Sequence, residues 1–356
     1  MKKHGVLCLS FLLPLLCSAS AAADGFDPLS LPSLKAFYAD YFDFGSAMNG
    51  MELRKADQLP FYAAQYSILT PENELKPDSV LDLNGSQKAS MEDQGSVAVT
   101  FQSVKPLLEF ARANGLKVHG HVLFWHSQTP DAFFRESYSK DGDYVSRDVM
   151  LRRMENYVRL TMEYMQENYP GLIVSWDVVN EAIDDSTGKL RESNWTKVVG
   201  DDFVLQAFRF TRKYAPEGTL LFYNDYNTPN QPKLNAILKL LDELTAEGLV
   251  DGCGMQCHYQ MTSPKASLVS AAISKITARG LLVRISEMDI MIDGNTDAQL
   301  AQQAERYAEL MQVFLKYSDS IIAVQTWGTL DSRSWKSDKY PLLFNKDMTP
   351  SPPFTR

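Results

Sequence analysis

Eight short runs rich in Val, Ile and Phe recur along the chain, and longer stretches of helical period lie between them. The runs are 42–48, 67–73, 117–125, 174–181, 219–226, 250–259, 281–289 and 321–328. Strands that alternate with helices form parallel sheets, covered on both faces and therefore apolar along their length. Between the runs, 146–168 carries Met150, Met154, Tyr157, Val158, Thr161 and Met165 at three- and four-residue steps, with Ser146 placed to cap. The stretch 296–317 repeats the pattern with Leu300, Ala304, Tyr307, Ala308, Met311, Phe314 and Leu315. A third stretch, 101–114, stops at Asn114-Gly115. Eight such units predict an α/β chain folded as a single (β/α)8 TIM barrel. A doubly wound open sheet is the alternative. It carries a glycine-rich phosphate turn after its first strand. The sequence has none, so no nucleotide or other cofactor is expected. After the last run come a long loop and the sequence TPSPP at 349–353, which leave no room for a full closing eighth helix.

The N-terminus reads as a targeting segment. Lys2 and Lys3 precede an apolar run from Val6 to Leu16, and small residues follow to Ala23. That run is too short to span a bilayer, and Ala21-x-Ala23 fits a signal-peptidase site. The expectation is a signal peptide at 1–23, a catalytic barrel domain at 24–356, and a secreted or periplasmic protein with no membrane span. Cys17 as a lipid anchor is the lesser reading, because Leu16 and not a small residue precedes it. Loss of Lys2 and Lys3 moves the formal charge from −9 to −11. An acidic surface repels phosphate backbones, so nucleic acid is a poor partner. Cys253 and Cys257 remain beyond the signal. Four residues of strand span about 13 Å, and a disulfide needs Cα atoms roughly 4.4–6.8 Å apart. The two are expected to be buried and unbridged. No Ser/Pro-rich linker follows Asp24, which argues for one continuous domain, and a monomer is expected.

The strands finish in polar residues: Glu72-Asn73, His121 with Trp125, Asn180-Glu181, Asn224-Asp225-Tyr226, Gln256-x-His258, Glu287-x-Asp289 and Trp327. In a parallel barrel those ends converge on one face, where active sites are built. Glu181 and Glu287 each close an apolar run, a costly place for a carboxylate that is neither paired nor functional. They belong to the fourth and seventh strands and can face each other across the mouth. Two opposed carboxylates are the minimal equipment for cleaving a glycosidic bond, one as proton donor and one as nucleophile. Gln256 and His258 share a strand face, as do Glu287 and Asp289. A His258 placed between Asp289 and Glu287 would keep Glu287 charged. Trp125, Trp327 and Trp335 lie at or beyond strand ends, where flat aromatic faces can stack on sugar rings. Trp176 and Trp195 read as packing residues.

With these residues in place, the chain resembles family 10 of the glycoside hydrolases, the (β/α)8-barrel xylanases. The matching segments are PENELK (71–76), GHVLFWHSQTP (120–130), SWDVVNEA (175–182), YNDYN (223–227), MQCH (255–258), ISEMDI (285–290) and QTWG with SW (325–328, 334–335). The resemblance implies an endo-1,4-β-xylanase acting on xylan and xylo-oligosaccharides with retention, without metal or cofactor. It implies Glu181 as acid/base, Glu287 as nucleophile, and His258 and Asp289 as partners of Glu287. Asn180, His121, Trp125, Gln256 and Trp335 would line the subsite of the cleaved sugar. Glu72, Asn73, Lys76, Gln128 and Trp327 would hold the next sugar on the non-reducing side, and Tyr226 would meet the leaving group. Pro77 departs from the family, which usually has tryptophan there, and this weakens the far wall of the second sugar site. The segment 84–100 reads as an extended loop.

Three rivals stand beside this reading. His119-x-His121 with His258 and Asp289 resembles the metal set of a barrel metallohydrolase. A non-catalytic sugar-binding protein is opposed by the presence of both carboxylates. A β-1,4-glucanase of the same fold differs by the space it leaves for a C6 hydroxymethyl group.

Overall fold

The computed structural model describes residues 26–351. The signal-peptide reading of 1–23, the Cys17 anchor and the last five residues lie outside the described residues. Eight parallel strands close on themselves: β1 (Asp43–Met48), β2 (Ile68–Pro71), β3 (Lys117–Gly120), β4 (Ile173–Asn180), β5 (Leu220–Asp225), β6 (Gly252–Met255), β7 (Leu282–Met291) and β8 (Ile321–Thr326). Each pairs with its successor, and β8 returns to β1 with Asp43 opposite Ala323. Helices α1 (Leu59–Gln65), α2 (Lys105–Ala113), α3 (Arg147–Asn168), α4 (Phe203–Tyr214), α5 (Lys233–Ala246), α6 (Ala266–Thr277) and α7 (Asp297–Lys316) follow β1 to β7 in turn. The (β/α)8 barrel expected from the sequence is therefore the fold.

The helices form where apolar periodicity and caps coincide. Along α3 the buried positions include Met150, Met154, Tyr157, Val158, Met162 and Met165, one face at three- and four-residue spacing, and Ser146 accepts from the Val149 N–H. Thr296 and Gln299 form a capping box at the head of α7. Trp176 and Trp195 are buried, as read. A side chain at Gly120 would run into the Trp176 ring, so only glycine lets β3 and β4 lie together there. Cys253 and Cys257 are buried and free.

Two strand candidates are shorter than the sequence suggests. β3 stops at Gly120, passes a cis His121–Val122 peptide, and the chain pairs again with β4 only at Phe124–Trp125. The run 250–259 breaks after β6, where Cys257 is left-handed at φ 62°, and resumes at His258–Gln260 beside β7. The segment 84–100 is not an extended loop. It holds a helical turn, Leu83–Ala89, capped by Asp82. It docks through Arg153 of α3, which is fully buried. The guanidinium donates to the Gln94, Phe133 and Arg135 carbonyls at 2.7–2.9 Å and stacks on Tyr138 at 3.9 Å.

Among the described residues no α-helix follows β8. Two 3-10 turns, Asp331–Arg333 and Ser337–Lys339, lead into a strap that takes its place. Pro341 accepts from the Ile290 N–H and the Tyr307 hydroxyl, and Gln303 donates to the Tyr340 carbonyl. Phe344 packs edge-on against Phe61 of α1, with centroids 4.9 Å apart. The seam between β8 and β1 is sealed beside it by Glu52, which is 1% exposed. Glu52 accepts from the Asn49 N–H at 2.8 Å and shares a hydrogen bond with Thr329, tying the loop after β1 to the loop after β8.

Burial raises the Glu52 carboxyl to about 7 from an ordinary 4.5, against the hydrogen bonds from Thr329 and Asn49. The folded state thus keeps Glu52 protonated at pH values where the unfolded chain ionises it. Its contribution to stability is complete below pH 4.5 and is lost as pH rises through 7, a loss on the order of 3 kcal/mol. Glu52→Gln cannot ionise. Between pH 5 and 8 the melting temperature of the parent should fall more steeply than that of Glu52→Gln. Parallel curves from scanning calorimetry would contradict this.

Candidate active site

Two β-bulges set which side chains look into the barrel. In β4 the register with β5 shifts between Asp177 and Val179, so Asp177 and Asn180 both point inward although they are three residues apart. In β7 the register with β8 shifts between Ile285 and Met288. Consecutive residues Ser286 and Glu287 consequently reach the same buried side chain, Asn224 of β5, at 2.7 and 2.8 Å. Strict alternation along each strand would have split both pairs.

Glu181 and Glu287 are connected across the mouth by amides. Asn224 Nδ2 donates to Glu287 Oε1 at 2.8 Å and to Asn180 Oδ1 at 3.0 Å. Gln256 Nε2 donates to Asn180 Oδ1 at 3.2 Å and to Glu181 Oε1 at 2.9 Å. Asn180 Nδ2 also reaches Glu181 Oε1, at 3.2 Å, and Trp125 Nε1 donates to Glu181 Oε2 at 3.0 Å. Glu181 follows β4 with a left-handed backbone, φ 55°. The sequence marks Asn224 only as one polar strand end. Its occurrence in the apolar stretch LLFYND is the signal that it faces a buried partner.

His258 stands between the two acids expected of it. Its Nε2 lies 3.0 Å from Glu287 Oε2 and its Nδ1 lies 2.8 Å from Asp289 Oδ2. Burial alone would lower the imidazole pKa. Asp289 and Glu287 overturn that and raise it to about 10, so the ring is an imidazolium donating to both carboxylates. Trp335 Nε1 donates to the same Asp289 oxygen at 2.9 Å, and its ring lies 5.0 Å from that of His258. Trp335 is half exposed, so its face is open to a ligand.

The remaining residues form one wall. Lys76 is buried, and its Nζ donates to Asn73 Oδ1 and Gln128 Oε1, both at 2.9 Å. It lies over the rings of Trp125 and Trp327 at 5.0 and 5.8 Å. Burial pulls the Lys76 pKa down, while Glu287 and Glu72 favour its charged form. Glu72 accepts from Asn49 at 2.8 Å. Pro77 opens the turn Pro77–Val80 from a buried position. His121 packs on Trp327 at 5.2 Å and contacts Asp177 at 2.9 Å. His119 also contacts Asp177, and burial with the nearby Arg284 charge lowers it to about 4. The metallohydrolase set is thus divided: His119 and His121 meet at Asp177, and His258 is committed to Asp289 and Glu287. Tyr226 sits on the opposite side, beside Arg191 and Lys233. Neither cation stands out in the sequence, because both lie outside the strand ends.

Comparison with known proteins identifies the family. The description Glycosyl hydrolase family 10 fits residues 33–356. The chain is 38% identical over 332 residues to a bifunctional endo-1,4-β-xylanase of Ruminococcus flavefaciens, covering 92% of this chain and 34% of that protein. It is 38% identical over 322 residues to endo-1,4-β-xylanase B of Butyrivibrio fibrisolvens, covering 88% and 50%. The chain therefore spans a third to a half of the length of these curated relatives. The crystal structure of an N-terminal endo-1,4-β-D-xylanase of Clostridium thermocellum, complexed with xylohexaose, superposes with a TM-score of 0.85 at 33% identity, covering 91% of this chain and 66% of that one. A closed parallel barrel, paired glutamates at its mouth and a match along nearly the whole sequence lead to one assignment: the chain belongs to glycosyl hydrolase family 10.

Proposed function

We propose that this protein is an exported endo-1,4-β-xylanase that hydrolyses internal β-1,4-xylosidic bonds of xylan and xylo-oligosaccharides with retention. The observation that carries the proposal is the pair Glu181 and Glu287, joined through Asn180, Asn224 and Gln256 with His258 behind one of them. Glu287 takes only donors, from Asn224 and His258, as a carboxylate nucleophile requires. It attacks the anomeric carbon, and the bond to the leaving oxygen breaks as Glu181 delivers its proton there. Water then attacks the glycosyl–Glu287 ester and gives its proton to Glu181, which restores both groups. Membership of this family supports retention and the absence of a metal.

Asn180, His121, Trp125, Gln256 and Trp335 surround the cleaved sugar in this reading. Glu72, Asn73, Lys76, Gln128 and Trp327 hold the next one, and Tyr226 receives the leaving group. The reading needs no residue from a second subunit, and a monomer is its acting unit. The leader-like sequence at 1–23 supports export, and no helix among the described residues is long and apolar enough to cross a membrane.

Glu287→Ala should remove nearly all turnover. Glu181→Ala should cost on the order of 10²–10⁴ in kcat/KM on xylan and far less in kcat/KM on aryl xylosides whose leaving groups need no proton. Equal losses on both substrates would contradict the assigned role of Glu181. The first-formed product should be the β-anomer by NMR, and activity on carboxymethylcellulose that matches activity on xylan would favour the glucanase reading instead. Because His258 is raised to about 10, its ring protons should keep imidazolium shifts from pH 5 to 8. Asp289→Asn removes the strongest charge holding it there, and the titration midpoint should fall. A parent midpoint inside pH 5–8 would refute the imidazolium.

A further inference from the structure

The loop after β4 carries a cation that the chemistry above does not use. Arg191 Nε donates to the backbone carbonyl of Glu181 at 3.0 Å. Its Nη2 donates to the Ile183 carbonyl at 3.4 Å and to the Tyr226 hydroxyl at 3.1 Å. The Arg191 N–H donates to the carbonyl of Ala182, between them, at 2.7 Å. Nη1 lies 3.8 Å from Asp184, its nearest carboxylate. One residue thus grips the main chain on the C-terminal side of the acid and the phenol that faces the leaving group.

Glu181 needs such a grip. A left-handed backbone is strained for a non-glycine residue and persists only where its surroundings impose it. On one side the Glu181 N–H donates to the Asn224 carbonyl at 2.9 Å, within the sheet. On the other side the hold comes from Arg191. Tyr226 is fixed at both ends in the same way: Arg191 takes its hydroxyl, and Lys233 lies 3.4 Å from its ring centroid. Lys233 is itself buried and anchored 2.7 Å from Asp225.

We propose that Arg191 is a positioning residue that sets Glu181 for proton delivery and locks Tyr226 in register with it. The sugar that departs and the acid that protonates its oxygen are then placed by a single guanidinium. The proposal rests on the reading of Glu181 as proton donor. A merely structural clamp would lower stability and slow every substrate alike. A positioning role slows the glycosylation step, which kcat/KM reads, only where the leaving group needs the proton.

The test uses full-length Arg191→Lys and Tyr226→Phe. Each is assayed on two aryl β-xylobiosides, dinitrophenyl and phenyl, and on xylohexaose, with Glu181→Ala in parallel. Arg191→Lys should lower kcat/KM on the phenyl substrate and on xylohexaose by at least about tenfold, and on the dinitrophenyl substrate by no more than about threefold. Tyr226→Phe removes one end of the link and leaves the tether on Glu181. It should raise KM for xylohexaose without separating the two aryl substrates. Equal losses, or no loss, in Arg191→Lys while Glu181→Ala separates the substrates overturns the positioning role alone. If Glu181→Ala does not separate them, the proton-donor reading fails first. Should Arg191→Lys not fold, a leaving-group split in Tyr226→Phe would still count against the division of labour.

Discussion

A carboxylate taken out of water has to be given donors, and the barrel mouth meets that demand with side-chain amides. Asn224 serves Glu287 and Asn180, Gln256 serves Asn180 and Glu181, and Asn180 serves Glu181. Each amide presents both a donor and an acceptor, so it can receive from one neighbour and give to the next. Removing any one takes a hydrogen bond from at least two neighbours in a low-dielectric interior. The fold around the mouth follows from this network. The bulges in β4 and β7 exist where strict alternation would have turned Asn180 or Glu287 away from it. The left-handed turn at Glu181 follows the last residue that the sheet can still align.

Much of this was legible in the sequence, because strand ends in a parallel barrel are predictable from apolar runs. Glu181, Glu287, His258 and Asp289 were found that way, and the structure brings all four together. Gln256 and His258 face the site as expected, though not for the expected reason. The strand breaks between them at Cys257, and separate contacts to Glu181 and Glu287 aim the two side chains. Arg191, Lys233 and Asn49 were not legible. They act on the site from loops or a helix start, where no periodicity says which way a side chain points. The segment 84–100 was misread for a related reason. Its composition is that of a loop, and what orders it is a contact with α3 that only the folded chain reveals.

Barrel closure shows the same division between local and distant information. Among the described residues a strap and no α-helix follows β8. That an extended strap can seat there depends on acceptors such as the Pro341 carbonyl meeting Ile290 and Tyr307, which lie far away along the chain. The seam also holds a buried acid, Glu52. The protein thus closes its barrel with polar groups whose strength depends on proton concentration.

Arg153 has a consequence for how such a barrel can change. Its guanidinium has bonds to carbonyls in two separate loops, one preceding α2 and one preceding α3. Replace either loop with that of a relative, and a charge is left facing carbonyls that no longer arrive. The two loops are therefore ordered as a pair, although some forty residues separate them along the chain. Any exchange of material at this rim, by recombination or by grafting, succeeds only when both loops and the arginine move together.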